Sequence, residues 1–266
     1  MSLQDEIAEQ PQILAALLEN SWAKVETIAS QLRERDFDFV YVIARGSSDN
    51  AGLYAKYLFG IENKLVVAMA SPSLFTKYDS PPRLARALVL AISQSGSSVD
   101  LVEALREARR QGAVTLAFCN VADSPLAREA EFFLDLEAGP ELAVAATKSY
   151  TAQLMAISML STALAQDRKR QLQLKLVAPA VADALKVSKS IPAQAQRYRY
   201  MRQGVVLGRG YNFSTAHEWS LKMKEMTYVV AAPYSSADFR HGPIAIVDRG
   251  FPVFAVVNQG VSTHAS

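Results

Sequence analysis

The feature that most narrows what this chain can fold into is a fivefold alternation of short apolar runs with helical patterns. The runs cover residues 39–44, 65–70, 88–92, 113–118 and 132–136. Near-continuous apolar runs of this length suit strands covered on both faces. Strands separated by helical crossovers pair in parallel. The pattern therefore predicts an α/β fold, a parallel sheet inside a three-layer αβα sandwich, with ligands at the carboxyl ends of the strands.

Two of those ends carry hydroxyl clusters. Arg45-Gly46-Ser47-Ser48 follows the first run, and Ser93, Ser95, Ser97 and Ser98 crowd around Gly96 after the third. Beyond them a helix is expected from about 97 to 111, with apolar residues at 99, 102 and 105. A helix N-terminus offers unpaired N–H groups and about half a positive charge, and Gly96 lets the backbone approach an anion. A single serine would mean no more than a helix cap. Four within six residues exceed that need and point to a phosphate seat built without any lysine. Neither Gly-Lys-Ser/Thr nor G-x-G-x-x-G occurs, so no nucleotide fingerprint competes.

Composition removes other partners. The chain has 266 residues, 50% hydrophobic and 20% charged, enough to bury a core. Its 28 basic and 26 acidic residues leave a net charge of +2 with no basic stripe, which argues against nucleic acid or an anionic membrane as partner. Cys119 is alone, so no internal disulfide forms, and a reducing cytoplasm is expected. His217, His241 and His264 share no ligand spacing; no metal and no cofactor is expected. No leader pattern and no apolar run of about 18 residues is found.

The remaining segments frame this sandwich. Residues 1–38 read as a helical lead-in carrying Leu14, Leu17, Trp22, Val25 and Ile28 at helical spacing, and Pro11 predicts two helices meeting near Gln10. The first domain is expected over 39–166. It closes with a helix running to about 165, whose buried side is Tyr150, Leu154, Ile157, Leu160 and Leu164. A charged helical connector, broken by Pro179 and Pro192, spans 167–203. A second copy starts at 204, because 204–210 repeats the order apolar strand, Arg-Gly, helix of 40–46. It offers strands near 205, 229 and 253 before Ser266, so this domain, 204–266, is expected to be partial.

Within that copy Glu218, Lys222 and Glu225 share one helix face. Such spacing commonly marks a solvated face of paired charges. Trp219, Met223 and Met226 lie around it, and a carboxylate held partly out of water gains a raised pKa and works as a base near neutrality. His241 falls in a tight turn, where histidine is ordinarily a surface residue.

Five segments, Ser93-Gln94-Ser95-Gly96, Ala138 to Lys148, Leu207-Gly208-Arg209-Gly210, Leu221 to Glu225, and His241-Gly242-Pro243, occur in an order that resembles the isomerase half of glucosamine-6-phosphate synthase. That half consists of tandem sugar-isomerase (SIS) domains of flavodoxin-like, parallel αβα type. The resemblance implies that Ser93, Gln94, Ser95 and Ser98 bind a sugar phosphate, and that Ser48, Val144, Ala146 and Glu218 line the sugar site. It implies catalytic roles for Glu225, as proton shuttle between C1 and C2, for Lys222, supporting the developing charge, and for His241, assisting ring opening from a partner subunit. A homodimer with shared active sites is therefore expected.

The departures shape the expected activity. The family's glutaminase half and its cysteine nucleophile have no counterpart, so glutamine-dependent amination is not expected. No residue corresponds to the lysine of the family's C-terminal tail, which forms a Schiff base with the open sugar. Ala146 stands where the family commonly has serine, which removes a hydroxyl from the sugar pocket. The expectation is a phosphosugar isomerase/deaminase turning glucosamine 6-phosphate, or a close relative, into fructose 6-phosphate and ammonia. The alternatives are a fructosamine-phosphate deglycase and a non-catalytic sugar-phosphate-binding regulator.

Overall fold

In the computed structural model, which describes residues 2–258, the apolar runs become strands because neither of their faces suits water. They are β1 (Phe39–Ile43), β2 (Val66–Met69), β3 (Ala87–Ser93), β4 (Val114–Cys119) and β5 (Phe132–Asp135). All pairings are parallel and the order is β2-β1-β3-β4-β5. This is the flavodoxin-like doubly wound order, whose direction reverses between β1 and β3.

Helices cover both faces. The first unit, Met1–Ala182, contains α1 (Leu3–Arg33), α2 (Ser47–Leu58), α3 (Ser73–Thr76), α4 (Val99–Arg110), α5 (Pro125–Glu129) and α6 (Lys148–Leu164). On one face Tyr41, Ile43, Val89 and Ala91 pack with Leu101, Val102 and Leu105 of α4. The alternate residues Val40, Val42, Leu88, Leu90 and Ile92 are equally buried, so the opposite face is covered too. There α6 packs between α1 and α2.

Three local expectations need correction. α1 is one continuous helix, not two. Proline at 11 leaves the Ile7 carbonyl without its i+4 donor, and the Gln10 side chain supplies one, donating through Nε2 to Ile7 O at 3.0 Å. Second, α6 is buried nearly all round, not along one stripe: Gln153, Ser161 and Thr162 are as buried as Ile157 and Leu160, whereas Leu154 and Leu164 are half-buried. Its place between two helices requires this. Third, the prolines of the segment after α6 sit in helices rather than breaking them. That segment forms α7 (Arg168–Leu174), α8 (Val177–Lys186) and α9 (Ile191–Ala195). Pro179 stands in the first turn of α8 and Pro192 opens α9, where a missing N–H costs nothing.

The second unit, Asp183–Ser266, contains β6 (Gln203–Gly208), α10 (Tyr211–Thr227), β7 (Val230–Ser235), α11 (Ser236–Phe239) and β8 (Val253–Ala255). Its strands are parallel in the order β7-β6-β8. The repeat seen in the sequence is geometric: Gly46 (φ 58°, ψ −130°) and Gly210 (φ 60°, ψ −130°) turn the chain identically from strand into helix. Only glycine adopts that conformation cheaply. His264 lies outside the described residues. No helix among the described residues is long and apolar enough to cross a membrane.

The account of Pro11 is testable by a double-mutant cycle. Gln10→Met should lower unfolding free energy by about 1 kcal/mol, the net worth of one hydrogen bond. In a Pro11→Ala background, where residue 11 supplies its own N–H to Ile7, the same substitution should cost almost nothing in denaturant melts. Equal losses in both backgrounds would refute the compensation.

Candidate functional site

At the carboxyl ends of β1 and β3, where the sheet changes winding direction, lies a cavity of about 240 Å³. Ser48, in the first turn of α2, forms one wall. Ser93, ending β3, and Gln94, Ser95 and Ser98 of the following turn form another; Ala146 stands on a third. These six residues, spread over a hundred positions of sequence, thus share one pocket.

The turn that follows β3 is held by its own hydroxyls and by the neighbouring strand. Ser93 Oγ accepts the N–H of Gly96 at 2.9 Å, and Ser95 Oγ lies 2.8 Å from Ser97 Oγ. Asn120 donates its N–H to Gln94 O and Leu126 donates its N–H to Gly96 O. Gly96 has φ +64°, and a Cβ there would fall 2.2 Å from Ser124 Oγ and 2.7 Å from Cys119 Sγ. Glycine is required at this position by the positive φ and by close packing behind the turn. Ser98 is the N-cap of α4 but its side chain does not cap the helix. The N–H of Leu101 is donated to Ser98 O at 3.1 Å, which leaves the Ser98 hydroxyl and the N–H groups of Val99 and Asp100 as the donors this helix start can offer a ligand.

Six pocket residues were given no site role from sequence: Arg45, Ser47, Ile92, Leu101, Ser149 and Gln153. Gln153 donates through Nε2 to Ser48 Oγ at 2.9 Å in a fully buried contact, tying α6 to α2. A signal for two of them exists. Positions 146, 149 and 153 follow helical spacing, so once Ala146 is placed at the pocket its helical neighbours come with it.

The loop between β5 and α6 is fixed by carboxylates. Glu6 of α1, with no exposed surface, accepts the N–H of Leu142 at 2.6 Å and that of Ala143 at 3.2 Å. Glu9 pairs at 2.6 Å with Lys148, which is 1% exposed. Ser21 and Asn20 donate to Glu137 at 2.6 and 2.8 Å. Glu141 accepts the N–H groups of Thr147 at 2.8 Å and Ser149 at 3.2 Å and also takes the Ser149 hydroxyl, so it caps α6. Residues 1–38 are thus more than a lead-in. Val144, in this loop, is 79% exposed and is not part of the pocket wall.

In the second unit, Lys222 Nζ lies 3.2 Å from Glu218 Oε1 and 2.7 Å from Glu225 Oε2. The pairing expected from spacing is present, and the face is only partly solvated. The side chains of Glu218 and Lys222 are 9% and 13% exposed, and that of Glu225 is 34% exposed. His241 occupies a separate, exposed turn after α11, its N–H donated to Asp238 O at 3.0 Å. Among the described residues no group of three histidine, cysteine or acidic side chains is disposed to hold a metal ion.

A family model described as SIS domain matches residues 35–163 and 200–265. The chain is 36% identical over 270 residues to a glutamine–fructose-6-phosphate aminotransferase (isomerizing) of Thermus thermophilus, covering 93% of this chain and 44% of that protein. It therefore spans less than half the length of this relative. Among solved structures, the C-terminal domain of glucosamine-fructose-6-phosphate aminotransferase from Francisella tularensis has a TM-score of 0.90 at 32% identity, covering 98% of this chain and 77% of that one. A Silicibacter pomeroyi DSS-3 protein, provisionally described as a phosphosugar isomerase, has a TM-score of 0.92 at 38% identity, covering 98% and 79%.

Two stability measurements test the local architecture. Gly96→Ala forces a positive φ and a clash with Ser124, and should cost roughly 2 kcal/mol or more in denaturant unfolding. Glu6→Ala removes the buried carboxylate that accepts two part-buried loop N–H groups and should cost about 1.5–3 kcal/mol. A loss under about 0.5 kcal/mol at Glu6, the size of an ordinary surface substitution, would show that the loop holds itself.

Proposed function

The chain belongs to the SIS domain family, and from that premise we propose that it is a phosphosugar isomerase/deaminase acting on an amino-sugar phosphate, with glucosamine 6-phosphate as the first candidate substrate. The observation that carries this reading is the hydroxyl-lined pocket at the β1/β3 ends, where the first turn of α4 and the side chains of Ser48, Ser93, Gln94, Ser95 and Ser98 converge. Hydroxyls and helix N–H groups suit a phosphate monoester, and binding it far from the reacting carbons orients the sugar.

In this mechanism the sugar ring opens with His241 as the assisting acid or base, contributed by the partner subunit of a homodimer. Glu225 takes the proton from C2 of the open-chain aldehyde. The resulting enolamine has a hydroxyl on C1 and the amine on C2, and Lys222 supports the charge that develops on oxygen. Glu225 returns the proton to C1, which leaves a ketimine at C2. Water adds to that carbon and ammonia leaves, giving fructose 6-phosphate. Two features support these assignments. Lys222 is near both carboxylates, and Glu225 is the less buried of the two, open to a substrate while Glu218 holds the lysine from behind.

The assay is ammonia release coupled to fructose 6-phosphate formation from glucosamine 6-phosphate. Glu225→Gln should lower kcat about 10²- to 10⁴-fold, the span typical of removing a general base, while sugar-phosphate binding by calorimetry stays within about threefold. Unchanged turnover in this variant would remove Glu225 from the mechanism. Wild-type silence with this substrate but turnover of a fructosamine phosphate would assign the deglycase reaction, and tight binding without turnover of either would assign the regulator.

A further inference from the structure

The pocket's lining contains one basic side chain, Arg45. It stands between the end of β1 and Gly46, the N-cap of α2. Its Nη2 donates at 2.5 Å to Oδ2 of Asp100, the second residue of α4. The contact links the loop after β1 to the helix start after β3 across the crevice. Asp100 presents a chemical problem for a phosphate seat. A carboxylate in the first turn of α4 takes up the helix's positive end and repels a second anion there. Arg45 cancels that charge; the Asp100 carboxyl is correspondingly held below the usual carboxylate range, chiefly by its hydrogen bond from Arg45. A guanidinium has five N–H donors in a fixed fork, and Asp100 engages Nη2 alone.

We propose that Arg45 is a phosphate-binding, specificity-determining residue of this pocket, held over the start of α4 by Asp100, and that the pair makes the site select phosphorylated over neutral sugars. Arg45 does two things. It offers the rest of its fork to the phosphate oxygens, and it screens them from the Asp100 carboxylate. The inference rests on reading the pocket as a sugar-phosphate seat. It adds a cation to a seat that sequence analysis built from hydroxyls and helix N–H groups alone.

The two tasks predict a specific pattern of coupling. Titration calorimetry on the full chain with glucosamine 6-phosphate should show Arg45→Ala weakening the affinity at least about ten-fold, as expected for loss of a charge-assisted hydrogen bond. The same variant should flatten the dependence of Kd on salt concentration. Asp100→Asn introduced into Arg45→Ala should recover at least about threefold of the affinity, because the stranded carboxylate is gone. Should Arg45→Ala fold poorly by circular dichroism, Arg45→Gln, similar in length and neutral, carries the same expectations. An Arg45 variant that binds within about twofold of wild type, or a double variant that recovers nothing, overturns the proposal while leaving the sugar-phosphate reading intact. Wild-type protein that binds neither glucosamine 6-phosphate nor fructose 6-phosphate overturns both.

Discussion

The parallel pairing of β1 with β3 is the constraint on which the rest of this architecture depends. The two strands are neighbours in the sheet, register Phe39 with Ala87 and Ile43 with Ala91, but are separated in sequence by a whole strand–helix unit. From β1 the chain must cross to β2 on one side, and from β3 to β4 on the other. Right-handed crossovers in opposite directions send α2 and α4 to opposite faces. The loops leaving β1 and β3 therefore diverge, and the crevice between them is a product of connectivity before any side chain is chosen. What the sequence adds is chemistry at that fixed place, with Ser48 in the first turn of one helix and Ser98 at the N-cap of the other.

The third wall of the crevice has no such guarantee, because it is a loop, and here the long first helix acts. A helix that did no more than cover a sheet would bury apolar side chains throughout. α1 buries Glu6, Gln10 and Ser21 among its leucines. Buried polar groups are costly unless paired, and each of these has its partner: the loop amides of 142 and 143, the carbonyl freed by Pro11, and Glu137. The exchange is specific, since a carboxylate engaged by successive N–H groups fixes the direction of the loop as well as its position. α1 lies ahead of the residues that the family model matches. Part of the geometry of the pocket wall is thus set by a segment that contributes no residue to the pocket.

Sequence patterning was informative where the physics is local. Each expected strand of the first unit lies within about a residue or two of its observed bounds, because short apolar runs, fully buried in β3 and β4 and partly so at the edges in β2 and β5, have an unmistakable composition. The hydroxyl turns were legible for the same reason, as small polar residues at the junction of two periodicities. Pro11 misled because the compensation is made by a neighbouring side chain rather than by the backbone, and propensity rules count only the latter. The single-sided stripe assigned to α6 failed because its second face is decided by α1, which joins it from over a hundred residues away. Arg45 stayed unread because the turn that holds it was valued for its hydroxyls, and Ser149 and Gln153 because their helical spacing from Ala146 points to the pocket only once Ala146 has been placed there.

Three helices begin at this pocket, and their differing starts decide where an anion belongs. The start of α6 is already filled, because Glu141 takes the N–H groups of Thr147 and Ser149 within hydrogen-bond distance and its positive end is satisfied internally. The start of α2 has Asp49 in its first turn, a carboxyl that burial pushes up in pKa and that Arg45 draws back down. α4 differs from both. Its N-cap serine does not cap it, and the acid in its first turn is paired with Arg45. Of the three positive ends, only that of α4 combines an N-cap hydroxyl that leaves the helix uncapped with a neutralised acid. For the proposed sugar-phosphate seat this makes the start of α4, over residues 93–98, the end best disposed toward an anion, since Glu141 already occupies the start of α6. The helix start and the hydroxyl cluster thus fall on the same turn, and the proposed seat draws on both.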